Sequence, residues 1–271
     1  MSESADFYMS WLGCNSFGVA SSSLLQAVTP IPFAPTDLSG CLLWYDANNG
    51  ATITTDPKDG KTILTWDSLG TASGFTLTPN IGSAESGSDT INGLNVATFF
   101  SGNNMITGAA SLNTQESTWF YVVESLTDLS TEAIPFLLFY NGNDTAAYSL
   151  GVFYDGGAST YGAAIGASGI SATIAYDLSA NPYPNPLIYS FRLTSDASGN
   201  FIKVNNTPLT LSESYPATGF NTSAITWTVG RSDGTSMNVG EIICYGRALS
   251  DSEVTQVSAY LSDRWAITIS P

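Results

Sequence analysis

Between Gly240 and Ile267 the chain reads GEIICYGRALSDSEVTQVSAYLSDRWAI: a buried strand, a tight turn and one amphipathic helix in succession. Ile242 to Tyr245 form a short apolar run suited to a strand covered on both faces. Ser250 and Glu253 stand at capping-box spacing, where each side chain accepts a hydrogen bond from a backbone N–H near the helix start. Asp251 and Glu253 suit the positive end of the helix dipole, and Arg264 the negative end. Val254, Val257, Leu261 and Trp265 recur at helical spacing and mark one apolar stripe. The pattern predicts a helix from about Asp251 to Arg264, laid on a sheet.

Upstream the apolar runs are short, and turn residues separate them. Strands are expected at Cys41–Tyr45, Leu94–Phe100, Trp119–Val123, Ile134–Tyr140, Tyr148–Tyr154, Phe201–Val204, Ile225–Val229 and Gly240–Tyr245. Ile53–Thr55 and Thr62–Trp66 flank a turn, Asp56-Pro57-Lys58-Asp59-Gly60. In Leu187–Leu193, Leu187, Tyr189, Phe191 and Leu193 share one face, and Ile188, Ser190 and Arg192 the other. Many short strands separated by turns predict an all-β protein closed by one helix.

The 271 residues carry 23 acidic and 7 basic side chains, for a net charge of −16. Such a surface repels phosphate backbones and anionic lipid headgroups, which argues against nucleic-acid and membrane partners. Histidine is absent, which excludes a Ser-His-Asp triad, a Cys-His pair and any imidazole-bound zinc. Cys14, Cys41 and Cys244 are odd in number and far apart, unlike a disulfide framework, although the spacing leaves a pairing among them open. Cys41 and Cys244 sit in apolar runs and read as buried thiols. No apolar stretch reaches membrane-spanning length, and the N-terminal residues do not read as a secretory signal.

Residues 1–36 read as an arm and linker, and 37–271 as the folded domain. Three prolines among residues 30–35 make a stiff, extended connector. The arm is too short to build a core, yet it carries Phe7, Tyr8, Trp11 and Phe17. These four are the candidate partner-docking residues.

Three segments resemble concanavalin A-like (LamG-type) jelly-roll domains, of the kind found in viral, phage and bacterial surface proteins. The first is Leu38 to Ala47, where a leucine-rich run leads to Trp44-Tyr45-Asp46-Ala47, with Trp66-Asp67 downstream. The second is Tyr189 to Arg192, a turn, and Phe201 to Asn206, with Asn206 where such domains often have glycine. The third is Val229 to Gly234, running on through the closing helix. The resemblance implies a two-sheet antiparallel jelly-roll sandwich, in which loops at one rim often bind sugar or Ca²⁺, and it implies no reaction.

Glucanases on related folds carry Glu-x-Asp-x-x-Glu on one strand, and no glutamate pair here has that spacing. Glycoside hydrolysis would need two carboxylates across a cleft, such as Asp144 and Asp155, and both read as turn residues. Glu241, at the start of an apolar run, reads as a paired structural carboxylate or a buried acid. Asp144, Tyr154, Asp155 and Asp233 are the candidate ligand-binding residues, with Tyr161 and Tyr183 as further aromatic platforms. Asp46 and Asn48 are the candidate Ca²⁺ ligands, and no other cofactor is expected.

The expected function is a non-enzymatic virion structural or surface protein. It would join other capsid or tail proteins through the arm, as part of an assembly, and touch host glycans. Its expected place is the virion surface. An adhesin outside a virion and a glycosidase are the alternatives.

Overall fold

The computed structural model describes residues 32–110, 112, 116–126, 135–141, 148–155, 160–167, 171–176, 183–214, 225–230 and 236–271. For the strands between residues 135 and 176 it describes the backbone path and pairing. The strands are β1 (Cys41–Asp46), β2 (Ile53–Thr55), β3 (Ile63–Trp66), β4 (Thr78–Ile81), β5 (Glu85–Ile91), β6 (Leu94–Phe99), β7 (Asn104–Ala110), β8 (Ser117–Ser125), β9 (Pro135–Asn141), β10 (Tyr148–Asp155), β11 (Thr160–Ala167), β12 (Ser171–Tyr176), β13 (Leu187–Leu193), β14 (Phe201–Val204), β15 (Thr207–Pro208), β16 (Leu211–Glu213), β17 (Ile225–Gly230) and β18 (Met237–Tyr245). Helix α1 (Asp251–Trp265) follows, the one α-helix among the described residues.

Two antiparallel sheets form the sandwich. The first runs β15-β14-β13-β8-β18-β6-β5, with β1 also paired to β18. The second runs β16-β12-β11-β10-β9-β17-β7-β4, and β2-β3 is a separate hairpin. Pro79 on β4 and Pro208 on β15 place residues without a backbone N–H on outermost strands, where they discourage further strand addition.

Alternation along the first sheet divides its side chains between two cores. Trp119, Tyr121 and Val123 join Leu43, Tyr45, Tyr189, Phe191, Ile242 and Cys244 between the sheets. Phe120, Val122, Ile188, Ile243 and Tyr245 point the other way, toward Val254, Val257, Leu261 and Trp265 of α1. Each such large apolar side chain contributes about 1.5–3 kcal/mol on leaving water. A strand covered on both faces needs a continuous apolar run, which is why TWFYVV and IICY lack polar alternation.

The helix cap forms as the sequence predicts. Glu253 N–H donates to Ser250 Oγ at 3.3 Å, and Ser250 N–H to Glu253 Oε2 at 2.8 Å. Arg247 also grips Glu253 through two nitrogens at 2.9 and 2.6 Å, and these bonds hold the Glu253 carboxyl down to about 2.

The folded unit begins at Phe33. Phe33 meets Tyr260 of α1 edge-on, with ring centroids 5.7 Å apart, and Tyr245 Oη donates to the Pro35 carbonyl at 2.8 Å. The end of the proline-rich connector is therefore part of the helix-covered face. Phe7, Tyr8, Trp11, Phe17 and Cys14 lie outside the described residues. Cys41 and Cys244 are free and belong to different cores, on opposite faces of the first sheet. A disulfide between these two is thereby excluded.

Candidate functional site

Strand direction gathers one set of loops at one end of the sandwich. β4 ends at Ile81, and three residues lead to β5; β6 ends at Phe99, and residues 100–103 lead to β7. Ile81 pairs with Asn104, Asn104 with Gly230, and Met237 with both Phe99 and Ser125. The ends of β4, β6, β8 and β17 and the starts of β5, β7, β13 and β18 therefore share this rim.

Three large side chains of the rim are open to solvent: Ile81 at 50%, Phe100 at 42% and Tyr183 at 37%. Burying such groups in the body would be favourable by one to a few kcal/mol each, so their exposure marks a surface available for contact. Amides brace the loops beneath them. Asn103 Nδ2 donates to the Ser83 carbonyl at 2.7 Å, and Asn80 Nδ2 to Asn104 Oδ1 at 3.0 Å. Ser101 N–H donates to Ser236 Oγ at 2.9 Å. Gly82 has φ +60°, and a Cβ there would run into the Asn103 side chain, so this turn requires glycine. The rim thus offers apolar platforms on a braced backbone, a chemistry that suits the C–H faces of sugars.

The predicted ligand residues are distributed as follows. Tyr154 pairs with Tyr161 and Asp155 with Thr160, at the rim end of β10 and β11. Tyr176, opposite Gly162, ends β12 at the same rim. Asp144 and Asp233 lie outside the described residues. The strand ends that flank Asp144, Asn141 and Tyr148, are at the far end of the second sheet from Tyr154 and Asp155. Ile81 and Phe100 were not legible in the sequence, because β4 contains a proline and Phe100 reads as part of a strand.

Asp46 is 3% exposed. Its Oδ1 accepts the Asn48 N–H at 3.0 Å, and its Oδ2 accepts Arg264 Nη2 at 2.6 Å. Asn48 Oδ1 accepts the Asn95 N–H at 3.0 Å. A Ca²⁺ ion at these two residues would have to draw on oxygens that already accept these bonds. Among the described residues no three Cys, Asp or Glu side chains converge as metal ligands would.

Glu241, opposite Asp46 across the β1–β18 pair, is fully buried under α1. Its Oε1 accepts Trp44 Nε1 at 2.6 Å and Tyr260 Oη at 2.9 Å, and its Oε2 accepts Trp265 Nε1 at 2.8 Å. Arg264 Nε stands 3.5 Å from Oε2 without forming a hydrogen bond, since its guanidinium is committed to Asp46. Burial first, and repulsion from Asp46 second, push the Glu241 carboxyl up to about 7. Glu241 is thus both things the sequence suggests: a raised-pKa acid and a structural acceptor that ties β1 and β18 to α1. Three bulky donors enclose it, so no substrate reaches it.

The arrangement is a two-sheet antiparallel sandwich with a loop rim at one end. Solved structures of botulinum neurotoxin binding domains share this fold. One is the binding domain of neurotoxin DC in complex with SialylT: TM-score 0.55, 12% identity, 82% of this chain and 52% of that one. Another is the receptor-binding domain of neurotoxin D: TM-score 0.55, 10% identity, 83% of this chain and 53% of that one. A third is the serotype D ligand-binding domain in complex with N-acetylneuraminic acid: TM-score 0.53, 10% identity, 81% and 50%. The chain spans about half the length of these neighbours, and at such identities the likeness is one of fold. No family model matches the sequence. No curated protein matches it either.

Proposed function

We propose that this chain is a non-enzymatic binding domain that recognises glycans through the loop rim of its sandwich. The observation that carries the reading is the rim itself, where Ile81, Phe100 and Tyr183 stand exposed above amide-braced turns. The fold supports it, being shared with domains solved with SialylT and with N-acetylneuraminic acid. The one buried acid with a strongly raised pKa among the described residues is enclosed by structural donors, which favours binding over hydrolysis. The test is a glycan array with the full chain and its Phe100→Ser variant. Glycan capture by the parent and loss in the variant is expected. Release of reducing ends from any arrayed glycan would instead make the chain a hydrolase.

We place this domain on a virion surface, with the aromatic arm as its anchor. The support is the sequence pattern: an arm with four aromatics ahead of a stiff proline connector on an acidic, lysine-poor body. Deletion of residues 1–31 keeps Phe33 on Tyr260, so the body should fold and fail to join particles. Mass spectrometry of purified particles reads the outcome, and normal incorporation of the truncated chain would refute the anchoring role.

A further inference from the structure

We propose that an open cleft beside the rim, between the start of β13, the β14–β15 turn and residues 268–271, seats a neutral sugar ring of the bound glycan. It deepens the glycan-binding reading and rests on it. The cleft follows from how the chain is held after α1. Ala266 ends the helix in a left-handed conformation, with φ +50°, and residues 268–271 then run past the turn between β14 and β15. Asn205 (φ +47°) and Asn206 (φ +63°) form that turn, in the left-handed conformations a two-residue hairpin needs. Three bonds tie the segment to it. Ser270 N–H donates to the Asn205 carbonyl at 2.9 Å, Asn206 Nδ2 to the Ser270 carbonyl at 2.9 Å, and the Thr207 and Ser270 hydroxyls share a bond at 2.7 Å. Asn205 also fixes the turn to β13: its N–H donates to the Ile188 carbonyl at 2.8 Å, and its Oδ1 accepts the Ile188 N–H at 2.9 Å. The segment is thus anchored at the turn, and a cleft of about 520 Å³ stays open between it, Leu187 and Val204. That volume falls in the range of small-molecule sites, roughly 300–1,000 Å³.

The lining names the ligand chemistry. Leu187, Val204 and Ile269 supply apolar surface, and Thr207, Thr268 and Ser270 supply hydroxyls. Asn205 Nδ2 and the Thr268 hydroxyl have no partner among the described residues. Apolar wall and hydrogen-bonding edge together match a pyranose, which presents a C–H face and a ring of hydroxyls. Among the described residues no ionisable side chain lines the cleft. The cation next to Val204 in sequence, Lys203, is turned over the Phe201 ring, 4.9 Å from its centroid. With no cation in the cleft and a net charge of −16 around it, a carboxylated or sulfated sugar meets only repulsion. The ring it seats is therefore uncharged.

The cleft also lies within reach of the rim platforms. Leu187 begins β13, one of the strand starts at the rim, and the exposed Tyr183 stands four residues before it. Four residues span at most about 14 Å of chain. An oligosaccharide resting on Tyr183 therefore brings a neighbouring sugar to the cleft. Paired strands and the bonds of the turn place its walls before the ligand arrives.

The test titrates the full chain, with its methyl groups isotope-labelled for NMR, with methyl glycosides of galactose, mannose, N-acetylglucosamine and N-acetylneuraminic acid. A neutral glycoside should shift the Leu187, Val204 and Ile269 methyl signals saturably, and the acidic one should leave them in place. Thr207→Trp, at an exposed position, fills the mouth of the cleft and should weaken that binding about tenfold, equivalent to ~1.4 kcal/mol. Thr268→Val keeps the shape and loses one hydroxyl, and it should weaken binding by a smaller factor without changing the melting temperature. The proposal is overturned if no neutral glycoside moves those methyls, if affinity is unchanged in both variants, or if N-acetylneuraminic acid binds there equally well. If Phe100→Ser abolishes glycan capture while the two cleft variants alter none, the rim reading stands and this one falls. If no sugar binds at all, both fall.

Discussion

Replacing Glu241 by glutamine should flatten the pH dependence of stability between pH 5 and 8. The carboxyl is pushed up from 4.5 to about 7, which favours the protonated form in the folded state by ~3 kcal/mol. Between those pH values the folded chain binds more protons than the unfolded one. Stability therefore falls as pH rises through this window, and the contribution is gone above about 7. Glu124, half-buried and bonded to Asn238, is also raised by burial and acts with the same sign. Asp59, Glu116, Asp196 and Glu253 are lowered by hydrogen bonds and act below about pH 4.5 with the opposite sign, outside the window. Urea unfolding at pH 5 and pH 8 measures the difference. The parent should lose ~2–3 kcal/mol on going to pH 8, most of it absent in Glu241→Gln. Glutamine keeps an acceptor for Trp44 and Tyr260 but turns an amide toward Trp265, at a constant cost of about 1–3 kcal/mol. Glu241→Ala leaves the Trp44, Tyr260 and Trp265 donors without their acceptor and should cost more than glutamine at pH 5. Parent stability that is flat or rising from pH 5 to 8, or an unchanged slope in Glu241→Gln, would refute the reasoning.

Arg264→Met should destabilise by about 2–3 kcal/mol, below the cost for a fully buried pair because the arginine side chain is 29% exposed, and more at pH 8 than at pH 5; an equal loss at both, by urea unfolding, would count against the charge attraction between Arg264 and Glu241. Gly240→Ala should cost about 1–3 kcal/mol by thermal melting, because a Cβ there meets the Trp265 ring at 2.9 Å and Val122 at 3.0 Å; a neutral result would mean that α1 is more loosely seated. Cys41 and Cys244 should resist thiol reagents until the chain unfolds, since burial pushes Cys41 up to about 12 and Cys244 well above its usual value; labelling of either in the native state by mass spectrometry would contradict the two-core assignment. Added Ca²⁺ should leave the melting temperature unchanged if Asp46 keeps Arg264, and a rise would restore Asp46 and Asn48 as metal ligands.

What could be read from the sequence depended on how many faces an element buries. The helix, its capping box and β13 were legible because their period and caps are local. Leu187–Leu193 is observed with the same bounds, and its two faces divide between the two cores as the alternation predicts. Strands such as ESGSDTI and TYGAAIGA were missed, because Gly, Ala, Ser and Asp outnumber their few branched and aromatic residues and leave no clear strand signal. Glu241 was visible as a misplaced acid, but its partners Trp44, Tyr260 and Trp265 come together only through the fold. The rim was partly legible: Tyr154, Tyr161 and Tyr183 were marked by neighbouring loops. Ile81 and Phe100 gave no local sign that they would stay uncovered.

The decisive measurement is a glycan titration of the full chain followed by NMR, comparing the parent with an Ile81→Ser/Phe100→Ser variant. Saturable binding by the parent that disappears in the variant, with the sugar recovered intact, is the result expected. Absence of any bound sugar, or recovery of cleaved sugar, would contradict a lectin-like domain that works through its rim.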